Sequence, residues 1–555
     1  MRGAFVASFG PEPAAGELER IAAAMRWHTG HESYHTSGQF HVAVLADSAD
    51  GPAIDDDGSR MLVVHGAQPR PLAELQRDGR RFAAVEYDGT TLAAARDPMG
   101  LCPLFFRVAK GALWLSTEIA PLAALAPVRP DLPALAALAA LVPDDDRTGL
   151  SEIFRVVPGF VLEAGEDLQP RQRRYWQVAK LFGSYRGTRA DAEEEMRRRL
   201  FEAVDRAVGP GTGIMLSGGI DSMAITAVAS CLGREFCAVH VAFQGLADTA
   251  EDQHARRLAS ALGFRLDVIP GELAPWQPEN DLEVSVVPYL TSPSYTAETA
   301  LAHLAAADVS IAVDGKDGDG VLGYTGREWG ELLRTGSMRR LAELSRIHGA
   351  RKVLRGVYGD VVPPPLRLGR LRRRPLPPLT YLQWMERYFD EPLRTRMRRI
   401  DHSRWRSPFG EWRARQLRQV LPVTTNLNEE RELRAARHGI DMRHPFADRS
   451  LVEFLISLPA AIKGDPFLSK DLIRRALATT APPGTLERRD KSSFGSVYAQ
   501  RVDTMQGLEL IESSGVRLPL INYERVFSDA EDPQTAPTIL LMSLARLHVF
   551  AASYA

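Results

Sequence analysis

Cysteine is scarce: Cys102, Cys231 and Cys237 are the only three in 555 residues. Three thiols cannot build a disulfide framework or a four-thiolate zinc site, so a reducing, cytoplasmic setting is expected. Long apolar runs are missing too. The longest candidate, PALAALAALVP at 133–143, falls short of the ~20 residues that cross a bilayer, and no membrane partner is expected. The opening MRGAFVASFGPEP has one Arg and no extended apolar core, unlike a secretory signal. An excess of one charge is also absent, since 68 Lys+Arg face 70 Asp+Glu for a net of −2. That balance excludes a globally basic nucleic-acid binder, though not a local basic face. What remains is ordinary globular composition, 45% apolar and 25% charged, with enough length for two to four domains.

Two patterns divide the chain. FHVAVLAD (40–47), SRMLVVHG (59–66), RRFAAVEYDGTTLAAARD (80–97) and GALWLSTE (111–118) read as strands ended by Gly, Asp or Pro. Helical stretches near 15–26 and 120–141 interrupt them. Beyond 180–190, a charged amphipathic helix at 192–208 leads into strands alternating with helices: TGIMLSGG, IDSMAITAVASCLG, EFCAVHVAF, EDQHARRLASALG, RLDVIP and DVSIAVDG. That alternation predicts a parallel α/β sheet. No internal repeat is visible. Residues 327–418 hold 23 Lys+Arg and nine Asp+Glu, a local net of +14 that leaves −16 elsewhere. Within it the prolines of VVPPPLRLGRLRRRPLPPL (361–379) forbid a continuous helix. A solvated loop is the plain reading, and a surface for an acidic peptide, nucleic acid or phosphate is the sharper one.

The strongest local signal is Ile214-Met215-Leu216-Ser217-Gly218-Gly219-Ile220-Asp221-Ser222. An apolar strand enters Ser-Gly-Gly, which opens a helix. Glycines let the backbone approach a ligand closely, and a helix N-terminus offers N–H groups and positive partial charge. With the hydroxyls of Ser217 and Ser222, this makes a cradle for pyrophosphate. Asp221 beside a phosphate makes sense if it holds Mg²⁺ that the phosphates share. No Gly-Lys-Ser/Thr follows, so a Walker A loop and γ-phosphate transfer are disfavoured. A plain strand-to-helix turn with Asp as a cap is the competing reading. A second acidic turn, Asp314-Gly315-Lys316-Asp317-Gly318-Asp319-Gly320, follows strand 308–314. Parallel sheets gather ligands at the carboxyl ends of their strands, so both loops belong on one edge. Asp319 is the expected second Mg²⁺ ligand, with Asp317 in reserve.

With these loops in place, the chain resembles the asparagine synthetase superfamily over nearly its whole length. SGGIDS is similar to the pyrophosphate loop of ligases that cleave ATP to AMP. ARDPMGLCPLFF (95–106) and Ser116-Thr117-Glu118 look like the family's ARDPxGxxPLYY and ASE segments. Thr148-Gly149-Leu150 through Val157-Pro158-Gly159 resembles its stretch before the linker. Arg443-His444-Pro445-Phe446-Ala447-Asp448 is close to RxPFLD, Lys470 matches the lysine of KxxLRxA, and Arg489 through Phe494, with Lys491, matches RxKxxF. The resemblance implies an α/β protein with an α+β first domain. Residues 1–185 would form a glutamine-amidotransferase-like αββα sandwich, and residues 186–555 an ATP pyrophosphatase domain with a parallel sheet and a helical extension.

Departures choose within the family. Glutamine-using members open Met-Cys, whereas this sequence opens Met1-Arg2-Gly3, and their NGEIYN reads here as His65-Gly66-Ala67-Gln68-Pro69-Arg70. Nucleophile and oxyanion donor are both replaced, so no glutamine hydrolysis is expected. An adenylating enzyme without ammonia needs another amine. That description fits β-lactam-type synthetases and lasso peptide cyclases, and ARHGIDMRHPF (436–446) looks more like the cyclase form. The implied reaction joins an Asp or Glu side chain of a core peptide, activated by ATP·Mg²⁺, to the peptide's N-terminal amine. A precursor peptide, a leader peptidase and a leader-recognition protein are the implied partners. Ser217, Gly218, Gly219, Asp221, Ser222 and Gly315, perhaps with Lys491, would cradle the nucleotide, and Asp221 and Asp319 would hold the metal. Lys470 would offset charge at the carbonyl. Lys316 would act as base only if burial lowered its pKa well below ~10.4. A small-molecule amide synthetase, a tRNA-modifying pyrophosphate-loop enzyme and a non-catalytic scaffold are the alternatives.

Three features carry weaker readings. His28, His31, His35 and His41 hint at zinc, but their region reads as strand and turn. The cysteines read as buried small hydrophobes. Trp384, Tyr388 and Phe389 read as core, with a wall for a peptide second.

Overall fold

The computed structural model describes residues 3–25, 31–46, 51–78, 80–242, 250–271, 295–322, 328–361, 386–402, 422–487, 504–530 and 538–554. Twelve strands build its first half: β1 (Ala4–Phe9), β2 (His31–Ser37), β3 (Phe40–Ala46), β4 (Ala53–Asp56), β5 (Met61–His65), β6 (Ala83–Tyr87), β7 (Leu92–Arg96), β8 (Phe105–Ala109), β9 (Ala112–Ser116), β10 (Phe154–Arg155), β11 (Phe160–Ala164) and β12 (Arg171–Arg174). Among the described residues they form two antiparallel six-stranded sheets, ordered β10-β8-β9-β1-β3-β2 and β12-β11-β7-β6-β5-β4. Successive side chains of a strand point to opposite faces. Phe5, Ala7 and Phe9 of β1 therefore meet Met61 and Val63 of β5 in one apolar layer between the sheets. The outer face of the first sheet, with Ala4, Val6 and Trp114, packs on helices Glu17–Ala22, Ile119–Ala123 and Leu132–Ala139. The outer face of the second, with Leu62, Val64 and Ala84, packs on helix Leu72–Asp78. The layers run helix, sheet, sheet, helix.

Two expected elements split. Residues 120–141 form two helices, because prolines end the first and Asp131 caps the second by accepting from Ala134 N. Residues 80–97 form the β6–β7 hairpin, whose turn is tied by the Asp88 carboxylate accepting from Thr90 N and Thr91 N.

Helix Arg189–Ala207 starts the second half on a reciprocal cap between Thr188 and Asp191, just past the boundary expected at 185/186. Five strands follow: β13 (Thr212–Met215), β14 (Cys237–Ala242), β15 (Leu266–Pro270), β16 (Ile311–Val313) and β17 (Asp441–Arg443). All pair in parallel, in the order β15-β14-β13-β16-β17. Helices cover both faces. Ile225 and Leu455 pack on one, Leu301 and Ala435 on the other. Strand order reverses between β13 and β16, and such a switch point opens a crevice at the strands' carboxyl ends. Strand β17 escaped the sequence reading, since Asp-Met-Arg has no apolar run.

The C-terminal helices turn back onto the sandwich, where Ile511, Leu540 and Phe550 join Trp114 and Leu135. Tyr388 and Phe389 lie in that same core with no exposed surface, while Trp384 lies outside the described residues. No described helix is long and apolar enough to cross a membrane.

Candidate active site

Strand β13 passes into Ser217-Gly218-Gly219 and then helix Ile220–Cys231. Gly218 sits at φ +77°, and a Cβ there would lie 2.2 Å from the Glu251 carbonyl oxygen. Only glycine fits. Ser222 Oγ lies 3.0 Å from Ser217 Oγ and donates to Gly219 O at 3.1 Å, while Gly219 N donates to Ser217 Oγ at 3.2 Å. These bonds fold the loop over the helix N-terminus, where first-turn N–H groups and the dipole favour an anion.

Strand β16 leads into the second loop through Asp314. Its carboxylate accepts from His444 Nδ1 at 2.6 Å, from Arg431 and from Lys316 N at 3.0 Å. Burial pushes the carboxyl up, but the facing charges of His444 and Arg431 outweigh this and hold it below the usual range. Asp314 thus anchors the loop as an anion. Asp317 adopts a left-handed φ of 68° and pairs with the Lys316 amine at 3.3 Å. Lys316 is nearly buried and also donates to Asn428 Oδ1. Burial pulls its amine below the usual lysine range, against the opposing pull of Asp317. The short helix Gly318–Leu322 then presents Asp319, whose side chain is 65% exposed.

The two loops touch. A Cβ on Gly318 would fall 2.4 Å from Asp221 Cγ, and one on Gly315 would fall 2.7 Å from Ser222 N. Lys470 reaches the same point from a third segment, held at a left-handed φ of 58° where helix Asp471–Ala476 begins. Its ammonium pairs with Asp221 and, at 2.7 Å, with Asp319 Oδ1. A non-glycine residue in this conformation costs roughly 1–2 kcal/mol, a strain that collects at functional sites. Asp317 and Lys470 both carry it. Two carboxylates beside an anion-binding helix end supply oxygen donors that fit Mg²⁺, and the close-approach loop fits the phosphates of ATP.

Ser217, Gly218, Gly219, Asp221, Ser222, Gly315, Asp319 and Lys470 therefore converge. Lys316 sits on the same loop but faces Asn428, and Asp317 turns toward Lys316 rather than toward Asp221. Lys491 lies outside the described residues. Of the four histidines, His28 also lies outside, and His41 Nδ1 is 3.1 Å from Thr36 Oγ1. Among the described residues no group of three or more His, Cys, Asp or Glu side chains is placed to bind a metal. Sequence reasoning missed Asn428, Arg431 and the pairing of His444 with Asp314. Only the HGIDMRHP segment, noted for its likeness, pointed near them.

The sandwich offers no competing nucleophile in its one thiol. Cys102 is fully buried, and burial pushes its pKa up to about 12. A Cβ on Gly66 would lie 2.6 Å from its sulfur, so the backbone at Gly66 closes on the thiol.

Comparisons with known proteins bear on this arrangement. An asparagine synthase family model matches residues 195–526. The amidase chyE of Penicillium rubens is 30% identical over 161 residues, a match covering 28% of this chain and 24% of that protein. The chain thus spans about a quarter of that relative's length. Among solved structures, a glutamine phosphoribosylpyrophosphate amidotransferase from B. subtilis aligns at 10% identity and a TM-score of 0.22, covering 48% of this chain and 81% of its own. NMN synthetase from Francisella tularensis aligns at 18% identity and a TM-score of 0.18, covering 25% and 59%. Scores this low establish no shared fold. The family model spans more than half of the sequence and takes in both acidic loops and Lys470, and on that ground the chain belongs to the asparagine synthase family.

Proposed function

We propose that this protein is an ATP-dependent lasso peptide cyclase. It activates an Asp or Glu side chain of a leaderless core peptide as the acyl-adenylate, with release of pyrophosphate. The peptide's N-terminal amine then attacks the acyl carbon, AMP departs, the amine proton is lost, and an isopeptide macrolactam closes. The reading is supported above all by Asp221 and Asp319 meeting on Lys470 at the carboxyl ends of β13 and β16. Family membership supports amide ligation, and the inert Cys102 fits an amine carried by the substrate itself.

Each residue has a task. Ser217, Gly218, Gly219 and Ser222, with Lys491, receive the pyrophosphate through N–H, hydroxyl and ammonium donors. Asp221 and Asp319 would hold Mg²⁺, which would supply charge neutralisation for the phosphates. Lys470 offsets the negative charge developing on the carbonyl oxygen as the amine attacks. Lys316 is assigned the amine proton; its place on the second loop supports this, and burial pulls its amine below the usual lysine range. Folding the substrate so that amine and acyl carbon meet supplies further rate by proximity. A precursor peptide, a leader peptidase and a leader-recognition protein complete the expected set of partners.

The test is direct. Purified protein with ATP·Mg²⁺ and a leaderless core peptide encoded beside it should release AMP and pyrophosphate while the peptide loses one water. ADP as product, or AMP release with small β-amino acids and none with the peptide, overturns the reading in favour of another ligase.

A further inference from the structure

Helix Pro422–Arg437 lies between the parallel sheet and the sandwich, and its Asn428, Glu429 and Glu432 side chains have no exposed surface. A buried carboxamide stays buried only if its donors and acceptor find partners. The Asn428 oxygen accepts from Lys316 Nζ, and Asn428 Nδ2 donates to the Met99 carbonyl at 2.7 Å. A carbonyl only accepts, so Met99 fixes the orientation of the amide and leaves its oxygen to accept from Lys316. Met99 belongs to a rigid turn of the sandwich. The Asp97 carboxylate accepts there from Met99 N at 3.0 Å, Leu101 N at 3.1 Å and Cys102 N at 3.0 Å. Just past Asn428 the helix is clamped to the same domain. Glu429 accepts from Arg96 and, at 2.9 Å, from Arg155 Nε, and Glu432 accepts from Arg81 Nη2 at 2.9 Å.

We infer that Asn428 is a positioning residue that ties Lys316 of the synthetase loop to the 97–102 turn of the sandwich, so that a domain without chemistry of its own completes the active site. The catalytic part of this inference rests on the role given to Lys316 above. The anchoring part rests on geometry alone. A carboxamide meets both demands, as acceptor and donor. Leucine satisfies neither partner, and aspartate still accepts from Lys316 but turns an oxygen toward the Met99 carbonyl.

Asn428→Asp, Asn428→Ala, Lys316→Met and the double variant Lys316→Met/Asn428→Ala separate the two parts in the intact protein. Amide hydrogen exchange at 315–319 should quicken about tenfold in Asn428→Asp, the equivalent of one buried hydrogen bond. Unchanged exchange there overturns the anchor whatever the reaction is. With the core peptide, Asn428→Asp and Asn428→Ala should lower kcat while KM for ATP stays level, and the double variant should be no slower than Lys316→Met. Multiplying losses in the double variant overturn the link through Lys316. A parent protein that cyclises no peptide sinks the proposed function, and exchange still decides the anchor. Should Asn428→Ala not fold, Asn428→Asp carries both readouts.

Discussion

Lys470 Nζ lies 2.7 Å from Asp319 Oδ1 and also pairs with Asp221, joining loops that leave two different strands. Without that cation, two carboxylates would face each other across the crevice. Lys470→Met should therefore lower kcat by about 10²–10³-fold, the usual effect of removing one charge-stabilising donor. Mg²⁺ without nucleotide should also raise the melting temperature of the variant more than that of the parent, because the ion takes over the neutralising role. Thermal shifts and AMP release check both. Parent-like turnover would remove Lys470 from the mechanism.

Gly218 is the backbone hinge of the anion loop. Gly218→Ala combines a left-handed φ of 77° with a Cβ placed against the Glu251 carbonyl. Conformation alone costs about 1–2 kcal/mol, and the contact with backbone adds to it. Loss of ATP binding with a modest fall in melting temperature is the expected outcome, read by calorimetry. Undiminished ATP affinity would show that phosphates bind elsewhere.

Glu429 carries the junction between the halves. Its carboxylate is fully buried between Arg96 and Arg155, and removing one partner of such a set strands the others. Glu429→Gln should lower stability by about 3–5 kcal/mol in denaturant unfolding. A change no larger than that of a surface pair would mean that water reaches the junction.

Lys463 gives a pH signature outside the active site. It is 5% exposed, and burial pulls its amine down to about 7 against the attraction of Glu328. In the unfolded chain a lysine titrates near ~10.4. Between those values the unfolded state binds the extra proton, so stability rises with pH from about 7 toward about 10. Below about 7 the folded protein carries the full penalty of a buried ammonium. Lys463→Met should flatten that rise, measured as melting temperature across the window. An identical slope in parent and variant would place the titration elsewhere.

Short-range pattern made part of this protein readable from its residues. Ser217 to Ser222 announced an anion loop because strand, glycines and helix follow one another directly. Apolar runs ended by turn residues announced the sandwich strands, and strands alternating with helices announced the later parallel sheet. Asp131, by contrast, was a helix cap hidden among prolines, and Asp441 to Arg443 was a strand with no apolar run to betray it.

The sequence by itself determined the anion loop, the succession of strands and helices and the family motifs, since each depends on neighbours a few residues apart. Tertiary structure decided that Lys470, from a third segment, bridges Asp221 and Asp319, because their meeting depends on how distant loops pack. It also decided that Asn428, Glu429 and Glu432, polar residues on one helix, are buried. Their partners are arginines and a carbonyl hundreds of residues away, such as Met99, 329 positions from Asn428. A buried polar group is defined by what surrounds it, and only the folded chain supplies those surroundings.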